Sequence, residues 1–235
     1  MNEVPEFDQS PRLLRTHLPL GLLLYNRDDK YIYVARNPYD TCVSSYYHVK
    51  LNPYYRFADG SFEDFVDAFL EGKVGYGHHL DHVLSGYARR HEPNIFFVTY
   101  EKLKADTAET VLELAKFLGE PYSSLFDKDE GLLDEVLFKS SVDYMKKTYN
   151  ASHEEARVIY NLPSPSPEVE AEAEKLESEA GFVLVRKGLI GNWRSHFSAE
   201  ELERMQAWIG AKTQGSNVMN LWRHELAGTR LTQTP

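Results

Sequence analysis

Residues 30–48 read Lys-Tyr-Ile-Tyr-Val-Ala-Arg-Asn-Pro-Tyr-Asp-Thr-Cys-Val-Ser-Ser-Tyr-Tyr-His. Aromatic and β-branched residues dominate Lys30 to Ala35, which predicts a buried strand. Arg36-Asn37-Pro38-Tyr39-Asp40 breaks it, and Asp40 is placed to cap a helix running through Ser44 to about His48. In open parallel sheets, ligands bind beyond the carboxyl ends of the strands. A helix starting there offers free N–H groups and a positive dipole end to an anion. Arg36 stands at the strand exit, where its planar fork suits a phosphate, and Ser44 adds a hydroxyl donor. Taken alone, a strand-end arginine is more often a structural ion pair.

The same alternation continues outward. Ser61 and Asp64 form a capping-box pattern before Phe62, Phe65, Val66, Phe69 and Leu70, which recur at helical spacing. A further helix is expected from Gly77 to Arg90 and a second short buried strand from Ile95 to Thr99. Asp106 and Glu109 open another helix, with Gly119 at its close. Strands alternating with helices imply a single α/β domain over 1–235 with a central, mostly parallel sheet flanked by helices. Pro163 to Glu179 departs from the pattern: Pro-Ser-Pro-Ser-Pro, then six glutamates before Gly181. It reads as an acidic flexible loop (163–180) or a loosely held helix inside the domain.

Composition sets limits. The 235 residues suffice for one well-buried domain, and 42% are hydrophobic. The net charge of −10 argues against bulk nucleic-acid binding, so an anion site must be a local basic cluster. Cys42 is the single cysteine, which excludes an intrachain disulfide and suits a reducing compartment. No apolar run approaches a membrane span, and Met1 to Ser10 lack the character of a signal peptide, so the expected location is cytoplasmic. Asn150-Ala151-Ser152 matches a glycosylation sequon, whose use is not expected without export.

A local basic cluster is present. Arg186-Lys187-Gly188-Leu189-Ile190-Gly191-Asn192-Trp193 places two cations beside glycines, which let main-chain N–H groups approach a phosphate. A basic surface turn would look the same. His78, His79 and His82 invite a metal reading, with His78 and His82 at i and i+4, but no glutamate follows in the zincin pattern, and no metal is expected.

Tyr33 to His48 and the Arg186-Lys187-Gly188 stretch, in this order, resemble the cytosolic sulfotransferase family. Arg15-Thr16-His17-Leu18-Pro19 is similar to the family's Lys-Thr-His-Leu-Pro, and Val98-Thr99-Tyr100-Glu101 to the strand end that stacks on adenine. The resemblance runs from about Pro11 to about Trp208 and implies a P-loop-nucleotide-kinase-like architecture. It implies sulfuryl transfer from PAPS (3′-phosphoadenosine 5′-phosphosulfate) to a hydroxyl or amine of a small acceptor, a phenol, steroid, alcohol or amine, leaving PAP. Arg36 and Ser44 would hold the 3′-phosphate, with Arg186, Lys187 and Gly188 completing that pocket. Tyr100 would contact adenine, Ser140, Ser141 and Met145 would lie near the base, and His17 would be the catalytic base. Where the family has an aromatic, this sequence has Val142.

Two further departures bear on function. The family's dimerisation signature, Lys-x-x-x-Thr-Val-x-x-x-Glu, is reduced to Arg194, Ser198, Ala199 and Glu203, so a homodimer through 194–203 competes with a plain helix cap. The family's phosphosulfate loop, Tyr-Pro-Lys-Ser-Gly-Thr-Thr, is not found in this sequence. The sequence is therefore read as N-terminally truncated, missing the first strand-loop-helix. A non-catalytic PAP or PAPS binder is the alternative this leaves open. The absence of any Gly-x-x-x-x-Gly-Lys-Ser/Thr string counts against a P-loop kinase.

Overall fold

The computed structural model describes residues 13–150, 155, 164–177 and 183–227. Strand β1 (Tyr31–Ala35) runs into helix α1 (Pro38–Lys50), followed by α2 (Phe62–Leu70) and α3 (His79–Ala88). Strand β2 (Ile95–Thr99) passes directly into α4 (Tyr100–Ala105) and then α5 (Thr107–Leu118). Short helices α6 (Leu125–Lys128), α7 (Leu132–Lys139) and α8 (Val142–Tyr149) lead to α9 (Pro167–Glu177) and α10 (Ala199–Lys212).

The two strands pair in parallel, with Tyr31 opposite Ile95 and Ala35 opposite Thr99. The expected parallel arrangement is therefore present, and both strands end at the same edge. Tyr33 and Phe97 lie opposite each other with rings 5.3 Å apart and almost coplanar, a cross-strand pair of the kind that ties a sheet together. Helix α3 packs against this pair at Gly86, where a Cβ would come within 2.6 Å of the Tyr33 ring. Only one face of β1 is covered: Tyr33 and Ala35 are buried, while Ile32 and Val34 are 44% and 51% exposed. This corrects the expectation of a buried strand; a five-residue apolar run carries too little periodicity to tell one covered face from two.

Helix α1 forms the centre of the core. Tyr39, Cys42, Val43 and Tyr46 recur at helical spacing and are buried against Phe65 and Val66 of α2, Leu80 and Val83 of α3, and Met205 and Ile209 of α10. Removing a side chain such as Leu80 from water contributes about 2 kcal/mol. The cap of α1 is not Asp40 but Asn37, whose side chain accepts from Asp40 N, with Pro38 in the first turn. Asp40 sits inside the helix and is drawn into a tertiary role described below.

The capping boxes at Ser61–Asp64 and Ser198–Glu201 form as the sequence indicates. Gly119 closes α5, and Lys30 Nζ donates to the carbonyls of Phe117 and Leu118 at that C-terminus. The acidic stretch is helical over Pro167–Glu177, and the buried Glu172 accepts from Ala58 N at 2.8 Å. One glutamate thus faces inward, anchoring a segment that composition alone would leave in solvent.

Candidate functional site

The ends of β1 and β2 bring Arg36 and Tyr100 together. The Arg36 guanidinium lies over the Tyr100 ring at 4.5 Å from its centroid, and its Nη2 donates to Leu189 O at 2.9 Å. Arg36 Nε is buried without a hydrogen-bond partner among the described residues. Burial raises the Tyr100 pKa, and the Arg36 charge opposes that shift. The basic stretch therefore folds back onto the strand exit across about 150 residues of chain.

Arg186 arrives from that stretch and packs over the Tyr47 ring of α1, 4.1 Å from its centroid. Burial lowers its pKa, Tyr47 opposes this, the neighbouring Arg36 charge lowers it further, and Asp40 partly offsets that. Two guanidiniums thus converge closely enough to repel each other. An anion of phosphate type relieves that repulsion and supplies the acceptor that Arg36 Nε lacks. The residues present fit a phosphate group.

A buried network holds the loop in place. Asp40 accepts from Gly191 N at 2.7 Å and from Trp193 N at 3.1 Å. Asn37 Nδ2 donates to Asp40 at 2.9 Å and to Glu101 at 2.7 Å, and Trp222 Nε1 donates to the other Glu101 oxygen at 2.8 Å. These four residues are at most 2% exposed. Cap, loop and C-terminal turn are therefore fixed by one set of charge-assisted hydrogen bonds.

Helix α8 packs on the other side of the loop. Ser141 caps it, accepting from Tyr144 N at 3.2 Å, while Ser140 donates back to Leu137 O. At the far end Asn150 bonds both the N–H and the carbonyl of Val185, so its side chain is committed to the fold. Gly188 adopts φ +62°, and a Cβ there would lie 2.5 Å from Val142 Cγ2. Gly188→Ala is expected to destabilise the protein by about 1–3 kcal/mol, combining left-handed strain with a forced shift of Val142. Urea denaturation checks this; an unchanged midpoint would contradict the packing of α8 on the loop.

His17 lies on an exposed segment, with its ring 5.0 Å from that of Tyr76, and among the described residues it makes no hydrogen bond or ring contact with the arginines. Its carbonyl is 3.1 Å from His82 Nε2. His48 of α1 is close enough for the His17 charge to add to burial in lowering its pKa. Arg36, Tyr100, Arg186 and Gly188 are thus assembled through α1, α4 and α8. No hydrogen bond or ring contact among the described residues joins Ser44, Lys187, Ser140 or Met145 to the two arginines. Sequence reading missed Tyr47, the Asn37–Asp40–Glu101 network and His48, none of which has a local signature. Among the described residues no group of His, Cys, Asp or Glu is arranged to hold a metal, and no helix is long and apolar enough to cross a membrane.

Residues 5–217 match the sulfotransferase domain family. Sulfotransferase 1B1 of Mus musculus is 30% identical over 214 residues, covering 89% of this chain and 63% of that protein. The crystal structure of mouse sulfotransferase SULT7A1 complexed with PAP superposes with a TM-score of 0.65 at 27% identity, covering 87% of this chain and 66% of the other. Retinol dehydratase in complex with androsterone and inactive cofactor PAP gives 0.68 at 28% identity, covering 91% and 56%. The chain spans less than two thirds of the length of the curated relative it matches. Two converging arginines at the carboxyl edge of a parallel sheet, joined to a match over nearly the whole sequence, establish that this chain belongs to the sulfotransferase family.

Proposed function

We propose that this protein binds PAPS and transfers its sulfuryl group to a hydroxyl or amine of a small acceptor, such as a phenol, steroid, alcohol or amine. The observation that carries this reading is the convergence of Arg36 and Arg186, with one buried guanidinium N–H left without a partner. In this reading Arg36, Ser44, Arg186, Lys187 and Gly188 hold the 3′-phosphate. Tyr100 contacts the adenine, with Ser140, Ser141 and Met145 near the base. Sulfuryl transfer, like phosphoryl transfer, is governed by positioning and charge stabilisation. His17 takes the acceptor's proton as it attacks; an imidazole suits that task near neutral pH. The relatives crystallised with androsterone and with retinol support a small-molecule acceptor. A cytoplasmic location accompanies the proposal.

The test pairs calorimetric binding of PAP with transfer of labelled sulfate from PAPS to a simple phenol. Binding with turnover is expected. Binding without turnover selects the non-catalytic nucleotide binder instead, and failure of both removes the nucleotide reading. Arg186→Ala is expected to weaken PAP binding by roughly 10- to 150-fold, the loss of a charge-assisted contact of about 1.5–3 kcal/mol. Unchanged affinity would contradict the phosphate assignment.

A homodimer through 194–203 is part of the same proposal. Arg194 also donates to Glu225 O at 2.6 Å, and Ser198 caps α10, so both residues have work within one chain. Sedimentation equilibrium decides; a monomer at tens of micromolar would remove the dimer.

A further inference from the structure

Two histidines on one turn of α3 reach the main chain of both halves of the proposed site. His79 Nε2 lies 3.1 Å from the carbonyl oxygen of Arg36. His82 Nε2, three residues on, lies 3.1 Å from the carbonyl oxygen of His17. A carbonyl oxygen only accepts, so each Nε2 must carry the hydrogen. The His82 Nδ1 lies 2.5 Å from the Tyr33 hydroxyl, which also donates to the His82 carbonyl oxygen at 3.0 Å; with hydrogen on Nε2 the ring nitrogen can only accept, so the two acceptors share the one Tyr33 hydrogen. Tyr33 is itself fixed by its stack on Phe97 and by the close approach of Gly86. The contact with the His17 carbonyl thus sets the His82 tautomer, and through it His82 holds the His17 peptide.

The surroundings make these two contacts matter. His17 sits on an exposed segment whose Leu13 and Leu14 are 89% and 87% exposed, so little else fixes its backbone. The Arg36 carbonyl also accepts from Thr41 Oγ1, at 3.5 Å, and the His79 ring packs near Phe69 at 6.1 Å between centroids. Burial pushes the His79 pKa down to about 4, against its hydrogen bond to the Arg36 carbonyl, and burial likewise lowers that of His82. Burial thus favours the uncharged form of both rings, and their carbonyl partners place the hydrogen on Nε2. Neither has the company a metal ion would need among the described residues.

We infer that His79 and His82 are positioning residues: from one helical turn they orient, through their Nε2–H groups, the Arg36 strand exit that grips the phosphate and the His17 peptide that presents the base. The inference rests on the proposed roles of Arg36 and His17. It predicts that the two histidines affect different constants, although they sit on the same helix face.

Glutamine places an amide N–H near the position of imidazole Nε2, whereas leucine has no donor. His79→Leu is expected to weaken PAP binding by about three- to tenfold, and His79→Gln to stay within about twofold of wild type. His82→Leu is expected to leave PAP affinity unchanged and lower kcat for sulfate transfer by about tenfold, with His82→Gln recovering most of it. Adding His82→Leu to His17→Ala should then cost no further rate, because His82 acts through His17. Loss of fold alone would move all constants together, and glutamine would not restore them selectively. Wild-type PAP binding with an unaffected His79→Leu, or a His82→Leu variant that loses affinity and keeps its kcat, overturns the inference while the proposed function stands. PAP binding with no turnover overturns the His82 half. A wild-type chain that does not bind PAP overturns the proposed function and both positioning roles with it. Nitrogen-15 spectra of histidine-labelled protein test the donor geometry independently: both rings should be neutral Nε2–H tautomers at pH 7. An Nδ1–H tautomer at either position sinks that half whatever the nucleotide does.

Discussion

His17→Ala is expected to leave PAP affinity within about twofold of wild type and to lower sulfuryl transfer by about 10²- to 10⁴-fold, the range spanned by a single general base. The separation follows from the layout of the site. The arginines converge at the carboxyl edge of β1 and β2, held by α1 and the 186–193 loop. His17 hangs on a different segment and makes its contacts with Tyr76 and the His82 ring. Removing its imidazole disturbs no hydrogen bond that orients Arg36 or Arg186. Calorimetry and a labelled-sulfate assay on the same preparation give both numbers. A variant that loses affinity and turnover in parallel would place His17 in the nucleotide site. A variant with wild-type turnover would give the base role to another group.

The sequence reading and the structure meet most closely where the signal is local. Ile95–Thr99 is a strand to the residue, because a short β-branched and aromatic run is bounded by Pro-Asn and by a helix start. The two Ser-x-x-acid boxes form because both partners lie within one turn. Asp40 shows where local reading ends. Asn37 and Asp40 are both good capping residues, and Pro38 favours the residue before it. Asp40 is instead claimed by two N–H groups about 150 residues away. The arginine pair was legible through the resemblance, but Tyr47 beneath Arg186 was not, since nothing in Ser-Ser-Tyr-Tyr-His marks which tyrosine meets a cation. His79 and His82 were visible only as metal candidates. Donation to a backbone carbonyl has no sequence signature, because every residue supplies that acceptor.

Glu101→Gln is expected to lower stability by about 2–4 kcal/mol, although it exchanges a single oxygen for an amide nitrogen. Glu101 is 2% exposed and accepts three hydrogen bonds. One oxygen takes Asn37 N at 3.1 Å and Asn37 Nδ2 at 2.7 Å; the other takes Trp222 Nε1 at 2.8 Å. Glutamine offers one oxygen and one NH₂, so either orientation turns a donor toward a donor. With its oxygen on Asn37, the amide faces the indole N–H, and Trp222 is wholly buried with no water to turn to. Removing a buried charge works in the opposite direction, since desolvation no longer opposes folding. That gain is small here, because three donors already compensate the carboxylate. The clash should therefore win, lowering the melting temperature by roughly 5–15 °C for a domain of this size. A shift below about 2 °C would contradict the assignment of Glu101 as a triple acceptor. Trp222→Phe removes the indole N–H, so the double variant should be more stable than the sum of the single losses predicts. The same change should reach the site, because Asn37 caps α1 and bonds Asp40, which holds Gly191 and Trp193. PAP affinity in Glu101→Gln should then fall well below the wild-type temperature of unfolding, as the loop bearing Arg186 loses its anchor before the core opens.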